Sequence, residues 1–96
     1  MPQFILLCRD KPDSLALRME TRPAHLEYFE RYGNKARLGG PLLNDKGDPM
    51  GSMLLIEAEN LEAAREIAAN DPYAKAGLFA SVEIMPFRTV ISNIGK

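Results

Sequence analysis

The sequence has no tryptophan, one cysteine and one histidine among its 96 residues. A single cysteine cannot form an intrachain disulfide, and together with one histidine it does not supply the ligands of a usual zinc site. That cysteine, Cys8, lies in the apolar stretch FILLC. A small buried hydrophobic residue is expected there, and a reactive thiol is the alternative. We therefore expect neither a disulfide nor a bound metal.

The sequence also lacks long apolar runs and a strong charge of either sign. No run approaches the roughly 20 apolar residues that a membrane-spanning helix needs. The amino-terminal stretch MPQFILLCRD has no basic segment ahead of its apolar residues, as a signal peptide would. The net charge of −1 gives no electrostatic reason to expect nucleic acid or a membrane as a partner. We expect a cytoplasmic protein.

The remaining composition is ordinary for one globular domain. Hydrophobic residues make up 46% of the chain and charged residues 26%, as in typical globular domains. No repeat, low-complexity tract or linker interrupts the sequence, and its length suffices for one modest core. We therefore expect a single domain over residues 1–96.

Apolar periodicity and turn residues divide the chain into four strands and two helices. Strands are predicted at residues 3–9, 36–43, 52–59 and 80–90. The first helix is predicted to begin near Thr21 or Arg22, with Pro23 in its first turn, where a missing N–H costs nothing. Asn60 is predicted to cap the second helix, over residues 61–70. This β-α-β-β-α-β order predicts an α+β ferredoxin-like fold with an antiparallel sheet.

The predicted topology brings four polar residues to one edge of the sheet. The first helix begins at the edge where the first strand ends, the third strand begins there, and the second helix ends there. We therefore expect Arg9, His25, Ser52 and Asp71 to lie close together, although the chain between His25 and Asp71 is long.

The predicted central strands carry apolar residues on both faces. Residues 4–7 and 53–56 do not alternate between apolar and polar. Because two helices can cover only one face of a four-stranded sheet, the other face also needs burial. A second copy that packs sheet to sheet is the simplest cover, so we expect a homodimer with an α+β barrel between its subunits.

His25 and Asp71 form the candidate acid/base pair. Near a helix start, the dipole disfavours the charged imidazolium, whereas a nearby carboxylate favours it and fixes the tautomer. Such a pair leaves the second ring nitrogen free as a general base or acid near neutral pH. The alternative is structural: Asp-Pro is a common stop after a helix, and His25 would then be a satisfied histidine in the core.

Four further residues are candidates for substrate binding. Ser52 follows a glycine at the mouth of the third strand, where its hydroxyl can bond a substrate oxygen, although many such serines are turn residues. No G-x-S-x-G elbow supports a serine hydrolase. Arg18 and Arg22 flank the predicted helix start and suit a carboxylate or phenolate, unless they are simply solvated. Tyr73 is a candidate for the pocket wall, or for the core.

Several motifs together resemble those of the YciI-like (YCII-related) family. They are RPAHL, GGPL, the glycine–serine pair that opens the third strand, NDPY after the second helix, and VEIMPF. The resemblance covers residues 3 to about 90. Each motif is weak alone, but the combination is specific. The hairpin NDKGDPMGS is shorter than in the family, so we expect a different lip on the pocket.

The resemblance implies a ferredoxin-like fold, a dimeric α+β barrel related to muconolactone isomerase, and an active site with a His–Asp pair. The matching residues here are His25 and Asp71, with Ser52 at a third pocket position. One characterised branch of the family is a dehydrochlorinase that acts on a chlorinated hydroxyhydroquinone without a metal or an organic cofactor. The substrate of most members is not established.

Three functions follow as hypotheses. The first is a cofactor-free lyase or isomerase that acts on a small aromatic or enolisable substrate, because proton transfer of this kind typically contributes 10²–10⁴-fold to a rate. The second is a non-catalytic module that binds a small molecule beside a larger enzyme, since this fold hosts many functions. The third, RNA binding on the sheet, fits poorly because the aromatic signature of such sheets is missing.

Overall fold

The computed structural model describes residues 1–94, so the last two residues of the predicted domain lie outside the described part. The strands are β1 (Gln3–Asp10), β2 (Ala36–Leu43), β3 (Pro49–Glu57) and β4 (Phe79–Phe87), and the helices are α1 (Leu15–Glu30), α2 (Leu61–Ala69) and α3 (Pro72–Lys75). The strands form one antiparallel sheet in the order β2-β3-β1-β4. This arrangement confirms the predicted α+β ferredoxin-like fold.

The helices pack on one face of the sheet. On β1, Phe4, Leu6 and Cys8 are buried on this face, whereas the residues between them are only half-buried. Alternate strand residues point to opposite faces, so this pattern defines a single core face. Phe29 of α1 and Ala64 of α2 join the same apolar cluster. The core therefore lies between the sheet and the two longer helices.

The opposite face of the sheet is apolar at its centre. Ile5 pairs with Leu55, and Leu7 pairs with Met53, in the β1–β3 ladder. All four side chains are half-buried, and Met85 beside them on β4 is 40% exposed. Since the helices that build the core pack on the other face, this face keeps much of its apolar surface in contact with solvent.

Helix α1 begins earlier than predicted. It starts at Leu15, not near Thr21, and Pro23 lies inside it. The sequence allows a helical turn after Asp13 or Ser14, and Ser14 is indeed the N-cap residue, although its side chain makes no capping hydrogen bond. His25 consequently lies well inside the helix. The predicted influence of the helix dipole on His25 is wrong, because that influence fades beyond the first turn.

The remaining predicted helix and strand boundaries lie within about three residues of the observed ones. Asn60 caps α2, as predicted, and its side chain accepts a hydrogen bond of 2.8 Å from the Ala63 N–H. Strand β3 begins at Pro49 instead of residue 52, and β4 ends at Phe87 instead of residue 90. Among residues 1–94, no helix is long and apolar enough to cross a membrane.

Candidate active site

The predicted pair of His25 and Asp71 is in contact. His25 Nδ1 lies 2.9 Å from Asp71 Oδ1, and both side chains are buried, Asp71 almost completely. Helix α1 carries the histidine, and the aspartate stands between α2 and α3 at the N-cap of α3. The topology therefore joins two residues far apart in the chain, as predicted for this edge of the sheet.

One oxygen of Asp71 determines the tautomer of His25. Oδ1 accepts a hydrogen bond of 2.9 Å from the Tyr73 N–H, and through this bond the Asp71 side chain caps α3. The same oxygen faces His25 Nδ1, and a carboxylate oxygen can only accept, so Nδ1 carries the proton. The second ring nitrogen, Nε2, is then unprotonated in the neutral histidine and available as a base.

Aromatic rings hold the imidazole on two sides. The Tyr73 ring is stacked on His25, with ring centroids 4.0 Å apart and an angle of 20° between the planes. Phe29 meets the imidazole edge-on at 5.1 Å. Burial raises the pKa of Tyr73, although the nearby cations Arg18 and Arg22 act in the opposite direction. The Tyr73 phenol is therefore neutral at physiological pH.

Arg18 forms a buried ion pair that the sequence analysis did not predict. Its Nε donates to Asp10 Oδ2 at 2.7 Å and its Nη2 to Asp10 Oδ1 at 3.2 Å. Nη2 also donates to Ser52 Oγ at 2.7 Å, and the guanidinium carbon lies 4.5 Å from the centre of the Tyr73 ring. Arg18 thus connects Ser52 to the ring that packs on His25.

Arg9 does not belong to the site. Its side chain lies on the opposite face of the sheet, where Nη1 forms an exposed ion pair of 2.7 Å with Glu83. The prediction used only the position of Arg9 at the strand end. Because Cys8 points toward the helices, strand alternation directs Arg9 away from them and Asp10 toward them. That alternation was the available signal for Asp10, which the sequence analysis missed.

A cavity of about 530 Å³ opens beside these residues. Helix α1 contributes one wall, with Arg18, Arg22 and His25, and residues 38–41 of β2 contribute another. Ser52 and Tyr73 also line the cavity. Arg22 is exposed, and its side chain makes no ion pair or hydrogen bond to another residue within the described chain. The predicted site residues therefore line one cavity, except for Arg9 and for Asp71, which is buried and reaches the site only through its contact with His25.

The glycine before Ser52 has a steric reason. A Cβ atom at Gly51 would overlap the backbone carbonyl oxygen of Cys8 on the neighbouring strand. The β1–β3 ladder pairs Gly51 with Arg9 and Ser52 with Cys8. Only glycine therefore lets β3 approach β1 closely enough to bring the Ser52 hydroxyl beneath Arg18.

Cys8 is part of the core, as predicted. It is 1% exposed, and burial, reinforced by the charge of Asp71, raises the pKa of its thiol to about 12. A thiol in this state is protonated at neutral pH and unreactive as a nucleophile.

Among residues 1–94, no group of three or more histidine, cysteine or acidic side chains is arranged to hold a metal ion.

The fold places the chain in a broad structural class. A solved antibiotic biosynthesis monooxygenase superposes with a TM-score of 0.59 at 12% identity, over 95% of this chain and all of that one. At so low an identity the likeness shows the ferredoxin-like fold alone. It agrees with the strand order and the helix arrangement described above.

The sequence itself identifies the family. The YCII-related domain matches residues 2–88, so the chain belongs to the YCII-related family. Protein YciI of Escherichia coli O6:H1 is 38% identical over 95 residues, which cover 91% of this chain and 97% of that protein. A protein of Haemophilus influenzae is 32% identical over the same shares of both chains.

A solved structure of an enzyme is also similar. The 5-chloro-2-hydroxyhydroquinone dehydrochlorinase TftG of Burkholderia phenoliruptrix, in complex with 2,5-dihydroxybenzoquinone, superposes with a TM-score of 0.83. The two sequences are 36% identical, over 90% of this chain and 93% of that one. The neighbour is therefore a lyase-type enzyme that binds a small oxygenated ring.

Proposed function

We propose that this protein is a cofactor-free lyase or isomerase that acts on a small aromatic or enolisable compound. The observation that carries the proposal is the His25–Asp71 pair, in which the carboxylate fixes Nδ1–H and leaves Nε2 unprotonated beside a cavity. The similarity to TftG, which is a dehydrochlorinase, supports the same class of reaction.

The chemistry of such a reaction fits the groups at the cavity. Loss of HCl from a chlorinated ring removes one proton and one chloride and transfers no electrons to the protein. His25 Nε2 takes the proton, Asp71 stabilises the imidazolium that forms, and the chloride leaves with its bonding electrons. In an isomerisation, the same nitrogen returns the proton to another substrate atom.

The substrate-binding role falls to Ser52, Arg18, Arg22 and Tyr73. These side chains line the same cavity as His25 and supply hydrogen-bond donors for the oxygens of a phenolic or enolic substrate. Arg9 is not included, because it lies on the other face of the sheet. The cytoplasmic location expected from the sequence stays a prediction.

We also propose that the apolar sheet face pairs two copies into a homodimer. The half-buried residues at the centre of this face are aliphatic, and a monomer leaves them against water. Pairing sheet to sheet buries the open faces of both copies. The cavity of each subunit lies on its helix side and is not part of this interface. The sheet surfaces would then enclose the expected α+β barrel.

Turnover of a known chemical type tests the enzymatic role. We expect the protein to release chloride from 5-chloro-2-hydroxyhydroquinone, measured with a chloride electrode under anaerobic conditions. We expect the release to fall at least 100-fold in His25→Asn, because general acid–base catalysis is worth 10²–10⁴-fold. A matched control is Arg31→Gln, which removes only an exposed pair with Glu27 on the outer side of α1.

The outcome separates the proposed enzyme from the alternative module. Chloride release by the wild type that His25→Asn does not reduce would contradict the role of His25. Binding of 2,5-dihydroxybenzoquinone without turnover of any chlorinated or enolisable analogue would favour a non-catalytic binding protein.

A further inference from the structure

The polar groups around the cavity are mostly hydrogen-bond donors once their protein partners are counted. Arg18 has five N–H donors. Nε and Nη2 use theirs on Asp10 and Ser52. Nη1 makes no hydrogen bond within residues 1–94. Every fully buried side-chain nitrogen or oxygen of the described chain does have a hydrogen-bond partner, so Nη1 is not fully buried. Nη1 therefore reaches accessible space, and Arg18 lines the cavity.

The Ser52 hydroxyl is also a donor. Its oxygen accepts from Arg18 Nη2 at 2.7 Å, and a guanidinium has no acceptor, so the hydroxyl proton is not used in that contact. No acceptor for this proton lies within hydrogen-bond distance in the described part of the chain. Ser52 is 2% exposed and lines the cavity, so its proton is left for a bound molecule.

Tyr73 adds a third donor. Its hydroxyl makes no hydrogen bond to another described residue. Since no fully buried side-chain oxygen of the described chain lacks a partner, this hydroxyl also reaches accessible space. Burial raises the pKa of this phenol, so the group keeps its proton at neutral pH. The unprotonated Nε2 of His25 can only accept, whereas the hydroxyls of Ser52 and Tyr73 can donate as well as accept and the guanidinium of Arg18 can only donate.

We propose that the cavity binds its substrate as an oxyanion with at least two acceptor oxygens, a phenolate or enolate, held by Arg18 Nη1 and the Ser52 hydroxyl. The inference deepens the proposed function and rests on it, because it takes this cavity as the substrate site. A neutral ring of the same shape lacks the charge, and hydrogen bonds to charged groups are roughly twice as strong.

Asp10 fixes the orientation of the Arg18 guanidinium. Its carboxylate neutralises Arg18 and holds the guanidinium through two N–H groups, so the buried pair carries little net charge. Arg22 lines the same cavity and makes no ion pair within the described chain, so it supplies the positive charge for an anion. The remaining N–H and O–H donors of Arg18 and Ser52 determine where the oxygens of that anion bind. The site therefore selects ligands by the position of their oxygens.

Two ligands of one shape test the proposal. 2,5-Dihydroxybenzoquinone is acidic and is an anion at neutral pH, whereas 2,5-dimethyl-1,4-benzoquinone replaces each hydroxyl by a methyl group and is neutral. By isothermal titration calorimetry at pH 7, we expect the wild type to bind the dihydroxy compound at least tenfold more tightly. Equal affinities, or no binding of the anion at millimolar concentration, would overturn the proposal.

Variants of Ser52 identify the donor. Ser52→Ala removes the hydroxyl and is expected to weaken binding of the dihydroxy compound about tenfold, with little change for the dimethyl compound. Ser52→Thr keeps a hydroxyl and is expected to retain most of the preference. If Ser52→Ala weakens both ligands equally, the residue only fills space and the proposal fails. Circular dichroism of each variant establishes that it is folded.

The binding measurement is independent of turnover. A wild type that prefers the anion but turns over no chlorinated or enolisable analogue would keep the anion-binding site and reject the proposed enzyme. A wild type that turns over the chlorinated substrate, loses turnover in His25→Asn and yet shows no preference would do the reverse.

Discussion

Oδ1 of Asp71 controls the orientation of His25 and the start of α3 at once. It faces the imidazole Nδ1 and accepts from the Tyr73 N–H, both at 2.9 Å. Tyr73 in turn stacks on the same imidazole. One acceptor atom therefore fixes the ring from its edge and, through the helix it caps, from its face. Loss of that atom is a larger change than loss of the charge.

Two variants of Asp71 separate the acceptor from the charge. Asp71→Asn keeps Oδ1, which the Tyr73 N–H requires as an acceptor, so we expect the Nδ1–H tautomer to persist. Asp71→Ala removes a cap worth about 1 kcal/mol and leaves a buried N–H without a partner, at about 1–3 kcal/mol. Urea unfolding measures stability, and ¹H–¹⁵N correlation spectra of the single histidine report the tautomer. Equal destabilisation by both variants would show that the charge dominates.

Cys8 makes the fold sensitive to alkaline pH. Burial holds the thiol pKa at about 12 in the folded state, against 9.0 for the unperturbed group. The folded chain therefore binds more protons than the unfolded chain between these values, and stability falls as pH rises through this window. The loss approaches about 1.4 kcal/mol per pH unit above pH 9.

The variant Cys8→Ala removes this proton linkage. It lowers stability at neutral pH by deleting a buried group, but we expect its free energy of unfolding to fall less steeply between pH 8 and 10.5 than that of the wild type. Tyr28 and Tyr73 also have raised pKa values and contribute to both proteins, so the difference in slope isolates the thiol. Parallel curves from urea unfolding would contradict this assignment.

At the level of single residues, the sequence predicted most of the site but not its electrostatics. Topology alone brought His25, Ser52 and Asp71 together correctly. It failed for Arg9, because position at a strand end says nothing about which face a side chain occupies. Asp10 follows from alternation along β1, but its pairing with Arg18 does not, since α1 was expected to begin after Arg18.

At the level of the secondary-structure elements, α1 differs most from expectation. Proline is far more frequent in the first turn of a helix than inside one, so Pro23 indicated a start that the structure does not have. Inside the helix it removes one backbone hydrogen bond, to the carbonyl of Met19. The helix nevertheless continues on both sides of Pro23, and Arg18, in the preceding turn, is held by Asp10. That tertiary contact is invisible to local sequence signals.

Replacement of Pro23 is therefore expected to stabilise the protein. Pro23→Ala restores the missing N–H at an exposed position. The gain of up to about 3 kcal/mol in helix propensity is reduced by up to about 1 kcal/mol through the more flexible unfolded chain. Thermal unfolding should show a higher midpoint for Pro23→Ala and a lower one for the exposed neighbour variant Ala24→Gly. A lower midpoint for Pro23→Ala would mean that the helix needs the proline geometry here.

For the molecule as a whole, the two faces of the sheet differ in what covers them. The helix face holds the core and the cavity, and the Arg18–Asp10 pair crosses from α1 to β1 within it. The open face has aliphatic residues at its centre and the Arg9–Glu83 ion pair among exposed side chains. The apolar run of β1 indicated this second apolar face in the sequence. A strand buried on one side alternates between apolar and polar residues, and β1 does not.

A charge on the open face should separate the proposed dimer. A stable interface buries about 800 Å² per partner, roughly an eighth of the 6443 Å² that this chain exposes, and the open face is the apolar surface suited to it. Leu55→Glu places a carboxylate at its centre, where a dimer would bury it without a partner at a cost of several kcal/mol. In the monomer the same side chain faces water, so the fold survives.

Sedimentation velocity reads the result directly. We expect the wild type and Leu15→Glu to sediment as dimers, because Leu15 is exposed at the start of α1 on the helix side, and we expect Leu55→Glu to sediment as a folded monomer. A wild type that stays monomeric at high micromolar concentration would refute the dimer. A dimeric Leu55→Glu would move the interface to another surface, and the apolar centre of the sheet would then need a different partner to cover it.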